Sequence, residues 1–465
     1  MKQRTYLKHI PDYQGQCWLQ PKLPAQGESW LLGKHHSFAK ETAKQAARIE
    51  VLGQLIEQAP WKWPKRPLYF ICDLHADADA FHASLVASGV IKKTGMRDTD
   101  YKLTKAARKG QIVIGGDCFD KGPSVLRLLR SIHRLKKRGA RISILAGNHD
   151  IRTLIGMRAV DGNHDPRIEH FFVRMGPKAI PLLKEIAEEY LNDSNRLRGI
   201  PKTRECRQRL FPSKKWFDEF PMRAEWMMPE ASINKELHRL KEKVLQFTQG
   251  CEEIGLSLRT TYAAALKFQE IFLHPKGEFA WFYRKLRLAH REGAFLFIHA
   301  GLNDHICRLI TDQGICYLNR QFRHDAWNDS FAFYYGSLAN TLRTKYRPVD
   351  MPFTPYGVDL MHRKGIHALV HGHRNLLHGQ RIMLRKGMIN FECDTSLDRN
   401  TRSKEGLTGH GASVTIFRPE GRVLGISNDY PNIKVFEPQA LVKKRRKARK
   451  AAGKRNKPIR GKRTA

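Results

Sequence analysis

The chain has 465 residues, with 83 Lys and Arg against 45 Asp and Glu, a formal net charge of +38. Hydrophobic residues make up 41%, and 8 Trp, 13 Tyr and 23 Phe need a core to bury them, which excludes a wholly disordered chain. No apolar run approaches the roughly 18 residues of a membrane-spanning helix, so none is expected.

The charge bears on partners more than on fold: polyanions such as nucleic acid, acidic membrane surfaces or phosphorylated substrates are attracted. The eight cysteines are scattered and none forms a CxxC pair, so a zinc ribbon or redox motif has no support. The N-terminus is basic but no apolar stretch follows it, so a secretory signal is not expected. Cytoplasmic location with reduced thiols is the expectation.

Residues 1–66 read as an extension with one helix. Pro and Gly punctuate residues 11–33, and Ser37 to Glu57 predicts a helix, because Ala43, Ala46, Ala47, Ile49, Leu52, Leu55 and Ile56 recur at helical spacing. Pro60, Pro64 and Pro67 stop it. A domain over 67–436 follows. Its five short apolar runs predict buried strands at Leu68–Cys72, Ile112–Ile114, Ile142–Leu145, Ala294–Ile298 and Ala368–Val370. Val125, Leu126, Leu128, Leu129, Ile132 and Leu135 predict a helix after the second run. Buried strands alternating with helices indicate an α/β core with a sheet covered on both faces.

From about 165 to 290 the pattern changes to long polar helical stretches, such as Ile233–Cys251 and Leu256–Leu273, without a convincing strand. This reads as a helical insertion, expected to cover one side of the strand ends as lids do. Ala412–Phe417 and Val423–Ser427 flank a Pro419-Glu420-Gly421 turn and predict a hairpin. Residues 437–465 read as a basic disordered tail, in which Lys443 to Arg463 hold 13 Lys or Arg and no acid.

Each apolar run ends in a cluster of residues whose side chains are competent to ligate a metal. Asp73-Leu74-His75 follows the first, and Gly115-Gly116-Asp117-Cys118-Phe119-Asp120-Lys121-Gly122-Pro123 the second. Gly147-Asn148-His149-Asp150 follows the third, His299-Ala300-Gly301 the fourth and His371-Gly372-His373 the fifth. Ligands bind outside the carboxyl ends of strands in such sheets, so five strand ends deliver Asp, His and Asn toward one edge. The glycines let backbone approach a bound ion or phosphate closely.

In this order the five blocks resemble the calcineurin-like metallophosphoesterase superfamily, over about residues 68–430 and with the insertion unaccounted for. GDxxDxGP and HAG are most similar to its phosphoprotein phosphatase branch and to symmetrical diadenosine tetraphosphatases. The resemblance implies an α/β sandwich of two mixed β-sheets flanked by helices, and two divalent metal ions. Asp73, His75 and Asp117 would hold the first ion. Asp117 would bridge to the second, completed by Asn148, His299 and His373. Imidazole and amide oxygen suit Mn, Fe or Zn, with Mn the first expectation. A metal-bridging hydroxide would attack phosphorus, with His149 as general acid and Asp120 keeping it protonated and oriented. Lys121 and Arg152 would contact the substrate phosphate.

Two departures matter. Lys121 stands where the family's GDxxDRG has Arg, which gives a point charge in place of a planar fork. Asn375 stands where many phosphodiesterases of the superfamily carry a late second His ligand, which favours the phosphatase-like branch. His371 is expected to be structural or to support a ligand.

The expected function is phosphomonoester hydrolysis of the serine/threonine phosphoprotein phosphatase type. The alternatives are a nucleotide or dinucleoside polyphosphate hydrolase, and a nucleic-acid-binding protein using its basic surface and the 443–463 tail.

Overall fold

The computed structural model describes residues 10–30, 32–33, 49–57, 60–160, 167–193, 197–226, 228–443 and 445–446. Two mixed sheets carry the fold. The larger has eight strands in the order β1 (Gln26–Ser29), β15 (Asn432–Phe436), β14 (Arg422–Ser427), β13 (Ser413–Arg418), β2 (Leu68–Ile71), β5 (Gln111–Ile114), β6 (Ile142–Leu145) and β7 (Leu286–Arg287). From β2 to β7 the pairs are parallel, while β13 runs antiparallel to β2 and to β14. The smaller sheet has the order β11 (Arg381–Arg385), β12 (Met388–Glu392), β10 (Ala368–His371), β9 (Phe295–Ile298) and β8 (Ala289–Glu292). A short hairpin of β3 (Ile91–Lys93) and β4 (Tyr101–Leu103) stands apart.

The sheets face one another across an aromatic layer. Phe70 and Phe297 have ring centroids 5.6 Å apart, Phe295 and Phe417 4.8 Å, and Phe391 and Phe436 5.4 Å. Val113, Leu145, Val370 and Ile389 complete the layer. Each such side chain contributes roughly 1.5–3 kcal/mol on burial, so the layer fixes how the sheets sit and where their strand ends meet. The outer face of the large sheet packs against helices, including Ala78–Ala87, capped by Asp77, and Val125–Lys137, capped by Ser124. The fold class is therefore the expected one: an α/β sandwich of two mixed sheets flanked by helices.

All five predicted strands form within a residue or so of their expected ends, as does the predicted hairpin. The helices expected between 165 and 290 run from Phe171 to Lys285, and the chain then enters β7 and β8, so its last residues belong to the sheets. The extension is not separate from the domain. Gln26–Ser29 is the edge strand beside β15, and Trp30 and Leu32 are buried in the inter-sheet layer. Of the predicted Ser37–Glu57 helix, 49–57 is helical and the remainder lies outside the described residues.

Most of the basic tail lies outside the described residues too. Its first turn is docked: Arg445 is buried, with Nε 2.8 Å from Glu50 Oε1 and a second ion pair to Glu57, and Arg446 Nε lies 3.0 Å from Glu57 Oε1. No helix among the described residues is long and apolar enough to cross a membrane.

Candidate active site

The strand ends of both sheets meet at one edge and place two groups of ligand-type side chains there. Asp73, His75 and Asp117 offer ligand atoms within 4.8 Å of one another, and so do Asp117, His299 and His373. Asp117 is common to both. His299 Nε2 lies 3.5 Å from Asp117 Oδ2, and His75 Nε2 lies 3.7 Å from it. Asn148 joins from the first turn of the helix Asn148–Ala159, its Oδ1 3.1 Å from His299 Nε2.

Three backbone carbonyls orient the histidines. His75 Nδ1 lies 3.1 Å from Phe119 O, His299 Nδ1 2.8 Å from Gly115 O, and His373 Nε2 3.2 Å from Arg343 O. A carbonyl only accepts, so each ring carries a proton there and turns its other nitrogen into the cluster. That is how protein-held imidazoles are prepared for a cation.

The backbone is held in an unusual state here. Asp73, His75, Asp117, Asp120, Lys121 and His373 all have left-handed φ, between 41° and 67°. Such conformations are costly for residues with a Cβ and persist where the surroundings enforce them. Glycine clears the space: a Cβ on Gly372 would overlap Asp73 Oδ2, and one on Gly147 would overlap the Asp117 carboxylate.

The electrostatics are those of crowded, buried carboxylates. Burial, and then the nearby Asp394 charge, push the Asp73 carboxyl well above its ordinary value. Asp394 is itself raised to about 6, first by burial, with Lys121 opposing. Burial acts against ionisation of Asp117 as well, but the imidazoles of His299, His149 and His75 hold it well below the carboxylate range. His299 goes the other way: burial disfavours its charge, yet Asp117 and Asp73 lift it to about 10. A divalent cation would relieve this crowding and suits the donor set of carboxylates, imidazoles and an amide oxygen.

His149 stands beside the cluster, with Nε2 3.9 Å from Asp117 Oδ2 and Nδ1 2.7 Å from Asp120 Oδ2. Asp120 is held below its ordinary pKa by His149 and Arg152 despite its burial, and accepts from Nδ1 in the tautomer that carries its proton there; Arg152 Nη2 lies 2.8 Å from the same Nδ1. Burial is the largest influence on His149 and lowers it; Arg152 adds to the lowering while Asp117 and Asp120 oppose it. Asp120 therefore meets His149 at hydrogen-bond distance and opposes the lowering.

Arg152 Nη2 donates to Asp120 Oδ2 at 2.7 Å, and its buried Nε has no protein partner. Lys121 Nζ lies 2.8 Å from His75 Nε2, on the side of the first group. His371 lies outside both groups, its Nε2 3.2 Å from Asn390 Oδ1 in the strand beside it. Asn375 donates to Glu405 Oε1 at 2.6 Å, away from the cluster.

Three residues in the site were not singled out from the sequence. Asp150 accepts from the amides of Gly147, Asp117, Cys118 and Phe119 at 2.8–3.2 Å and clamps two strand ends together. Burial raises it to about 7. Its signal was the last residue of GNHD. Asp394 follows β12 as Asp73 follows β2. Arg343 supplies the carbonyl that orients His373.

No protein-family model matches the chain, and no curated protein sequence matches it. Solved structures do align with it. A cold-active protein tyrosine phosphatase is 14% identical over 88% of this chain and 89% of its own, with a TM-score of 0.40. The cold-active protein-tyrosine phosphatase of a psychrophilic Shewanella species is 12% identical over 92% and 94%, with a TM-score of 0.40. A protein serine/threonine phosphatase from Saccharomyces cerevisiae, with similarity to human phosphatase PP5, is 14% identical over 86% and 90%, with a TM-score of 0.34.

Proposed function

We propose that the chain is a two-metal phosphoesterase that hydrolyses phosphomonoesters, of the serine/threonine phosphoprotein phosphatase type. The observation that carries this reading is the set of three histidines. Each is tied to a backbone carbonyl through one ring nitrogen, and each turns the other toward a cluster built on one shared carboxylate, Asp117. Asp73, His75 and Asp117 would hold one divalent ion, and Asp117, Asn148, His299 and His373 the other. Bound there, the ions would acidify water and neutralise charge on the phosphoryl oxygens.

The chain's own residues do the rest. Asp120 fixes the proton on His149 Nδ1, so only Nε2, which faces the cluster, exchanges protons. Nε2 takes up the proton released by the attacking water and hands it to the oxygen of the breaking P–O bond. Arg152 is held in place by Asp120 and presents its remaining N–H groups to the phosphoryl oxygens; Lys121 adds a point charge on the other side. The helices between Phe171 and Lys285 act as a wall on one side of the site.

Hydrolysis of p-nitrophenyl phosphate and bis-p-nitrophenyl phosphate with added Mn²⁺, beside Asp117→Asn, tests this. Monoester turnover that the substitution abolishes is the expected result. Turnover of the diester alone, or of neither ester, overturns it.

A further inference from the structure

The helices between Phe171 and Lys285 leave large apolar side chains uncovered. Among the described residues, Trp226 is 88% exposed, Leu245 70% and Met222 62%. Apolar side chains scattered singly over a surface need no explanation. Leu245 does, because it forms one wall of a groove of about 450 Å³. The groove lies between the end of the helix Thr203–Leu210, the start of Lys214–Ala224 and the middle of Glu230–Glu253. Phe211, Pro212, Phe217 and Val244 line it with Leu245, and Phe211 is seated edge-on against the buried Phe247, the ring centroids 6.0 Å apart.

The charges that line this groove are both cations, and each stands over one of its aromatic rings. Arg207 Cζ lies 5.4 Å from the centre of the Phe211 ring, and Lys241 Nζ 5.5 Å from that of Phe217. No acid lines the groove, and neither cation has an ion-pair partner among the described residues. The acids at its margin are taken. Glu205 Oε1 meets Arg209 Nη2 at 2.6 Å, and Glu219 pairs with Lys215 at 3.2 Å and with Arg223 at 3.0 Å. From Lys202 to Lys215, six Lys or Arg stand against one acid. Apolar walls with two unpaired cations are the complement of a segment that sets carboxylates beside apolar side chains. The chain's own 443–463 segment is basic and carries the wrong sign to fill it.

We propose that this groove is a docking site for a short acidic segment of a partner protein. Apolar side chains of the segment fill the groove, and its carboxylates meet Arg207 and Lys241. None of the residues of the metal edge takes part, so the segment binds with or without bound metal.

Selection of a random peptide library against the full-length chain, without added metal, tests this. Selected sequences should be rich in Asp and Glu beside Phe, Leu, Trp or Met. A synthetic peptide of their consensus, followed by fluorescence anisotropy, should bind the wild-type chain. Leu245→Glu should weaken it at least about tenfold, and so should Arg207→Glu/Lys241→Glu. Lys92→Glu/Lys102→Glu, which makes the same charge change on the β3–β4 hairpin, should leave binding unchanged. All of these positions are exposed, so the substitutions remove no core contact.

A selection that yields no acidic, apolar sequences overturns the proposal, and so does consensus binding that Leu245→Glu leaves intact. Oligoglutamate or single-stranded RNA that binds as tightly as the consensus peptide overturns it too, because the net charge of the chain alone would then account for the capture. Absence of all phosphomonoester turnover, with peptide binding lost only in the groove variants, overturns the proposed function but leaves the docking site standing.

Discussion

His149 Nδ1 lies 2.7 Å from Oδ2 of Asp120, and Arg152 Nη2 reaches the same oxygen at 2.7 Å. One buried carboxylate thus sets both the proton position of the histidine and the direction of the guanidinium. Because His149 would serve the leaving oxygen, His149→Ala should cost more on substrates that leave poorly. We expect kcat on a phosphoserine peptide to fall about 10²–10⁴-fold. The loss on p-nitrophenyl phosphate should be at least about tenfold smaller, since p-nitrophenolate needs no proton to depart. Equal losses on both would remove His149 from proton transfer.

Metal binding should release protons. His299 is lifted to about 10 by Asp117 and Asp73, so at neutral pH it carries a proton that a bound cation must displace. Mn²⁺ affinity should rise with pH, roughly tenfold per unit for each proton displaced, and titration in buffers of different ionisation enthalpy should count the protons. Asp117→Asn, which removes the carboxylate common to both groups, should reduce the bound Mn²⁺ stoichiometry as well as turnover.

Glu392 is fully buried and faces three guanidiniums: Arg374 Nη1 at 3.0 Å, with Arg381 and Arg385 beside it. Despite burial, His371 and these arginines bring its carboxyl down to about 2. Glu392→Ala would leave three cations facing each other, and the expected loss of stability is about 3–5 kcal/mol. The contribution is present above the ordinary carboxylate range and disappears as pH falls toward 2. Urea denaturation of the variant at pH 7 checks it; a loss under about 1 kcal/mol would show that the arginines find other partners.

His290 gives the opposite end of the acid limb. Burial, reinforced by Arg287, lowers it to about 4. The unfolded chain therefore takes up a proton between pH 6.5 and 4 that the folded chain does not. Stability should fall as pH drops through that window and level off below it. The shift sets an upper bound of about 3.5 kcal/mol, at about 1.4 kcal/mol per unit. His290→Gln should flatten this part of the stability curve, measured by urea denaturation at pH 4, 5 and 6.5.

The site was legible where strands are buried on both faces. Leu68–Ile71 and Phe295–Ile298 read as apolar runs because each face packs on something, and the chemistry begins within two residues of their ends, at Asp73 and His299. Elements whose pairing is backbone alone were not legible. Gln26–Ser29 has no apolar side chain to announce it, and Leu286–Arg287 is two residues long. Asp394 was hidden for a related reason. The strand before it, Met388–Glu392, carries Asn390 and Glu392 in its buried pattern, and these are satisfied by His371 and the arginines rather than by apolar packing. The insertion's helices were readable by period.

The sheet edge at Gln26–Ser29 is completed by Asn432–Phe436, and Asp73 accepts the backbone N–H of His373, 300 positions further on. At the usual 5–20 residues per second, synthesis needs roughly 20–80 s to travel from the first strand to the last, and roughly 15–60 s between the two halves of the carboxylate cluster. For that interval the nascent chain carries an unpaired edge and an incomplete ligand set. Synthesis of the C-terminal strand thus times the closing of the sheet edge, whereas the ligand set is complete once His373 has been made. A chain released before His373 has neither.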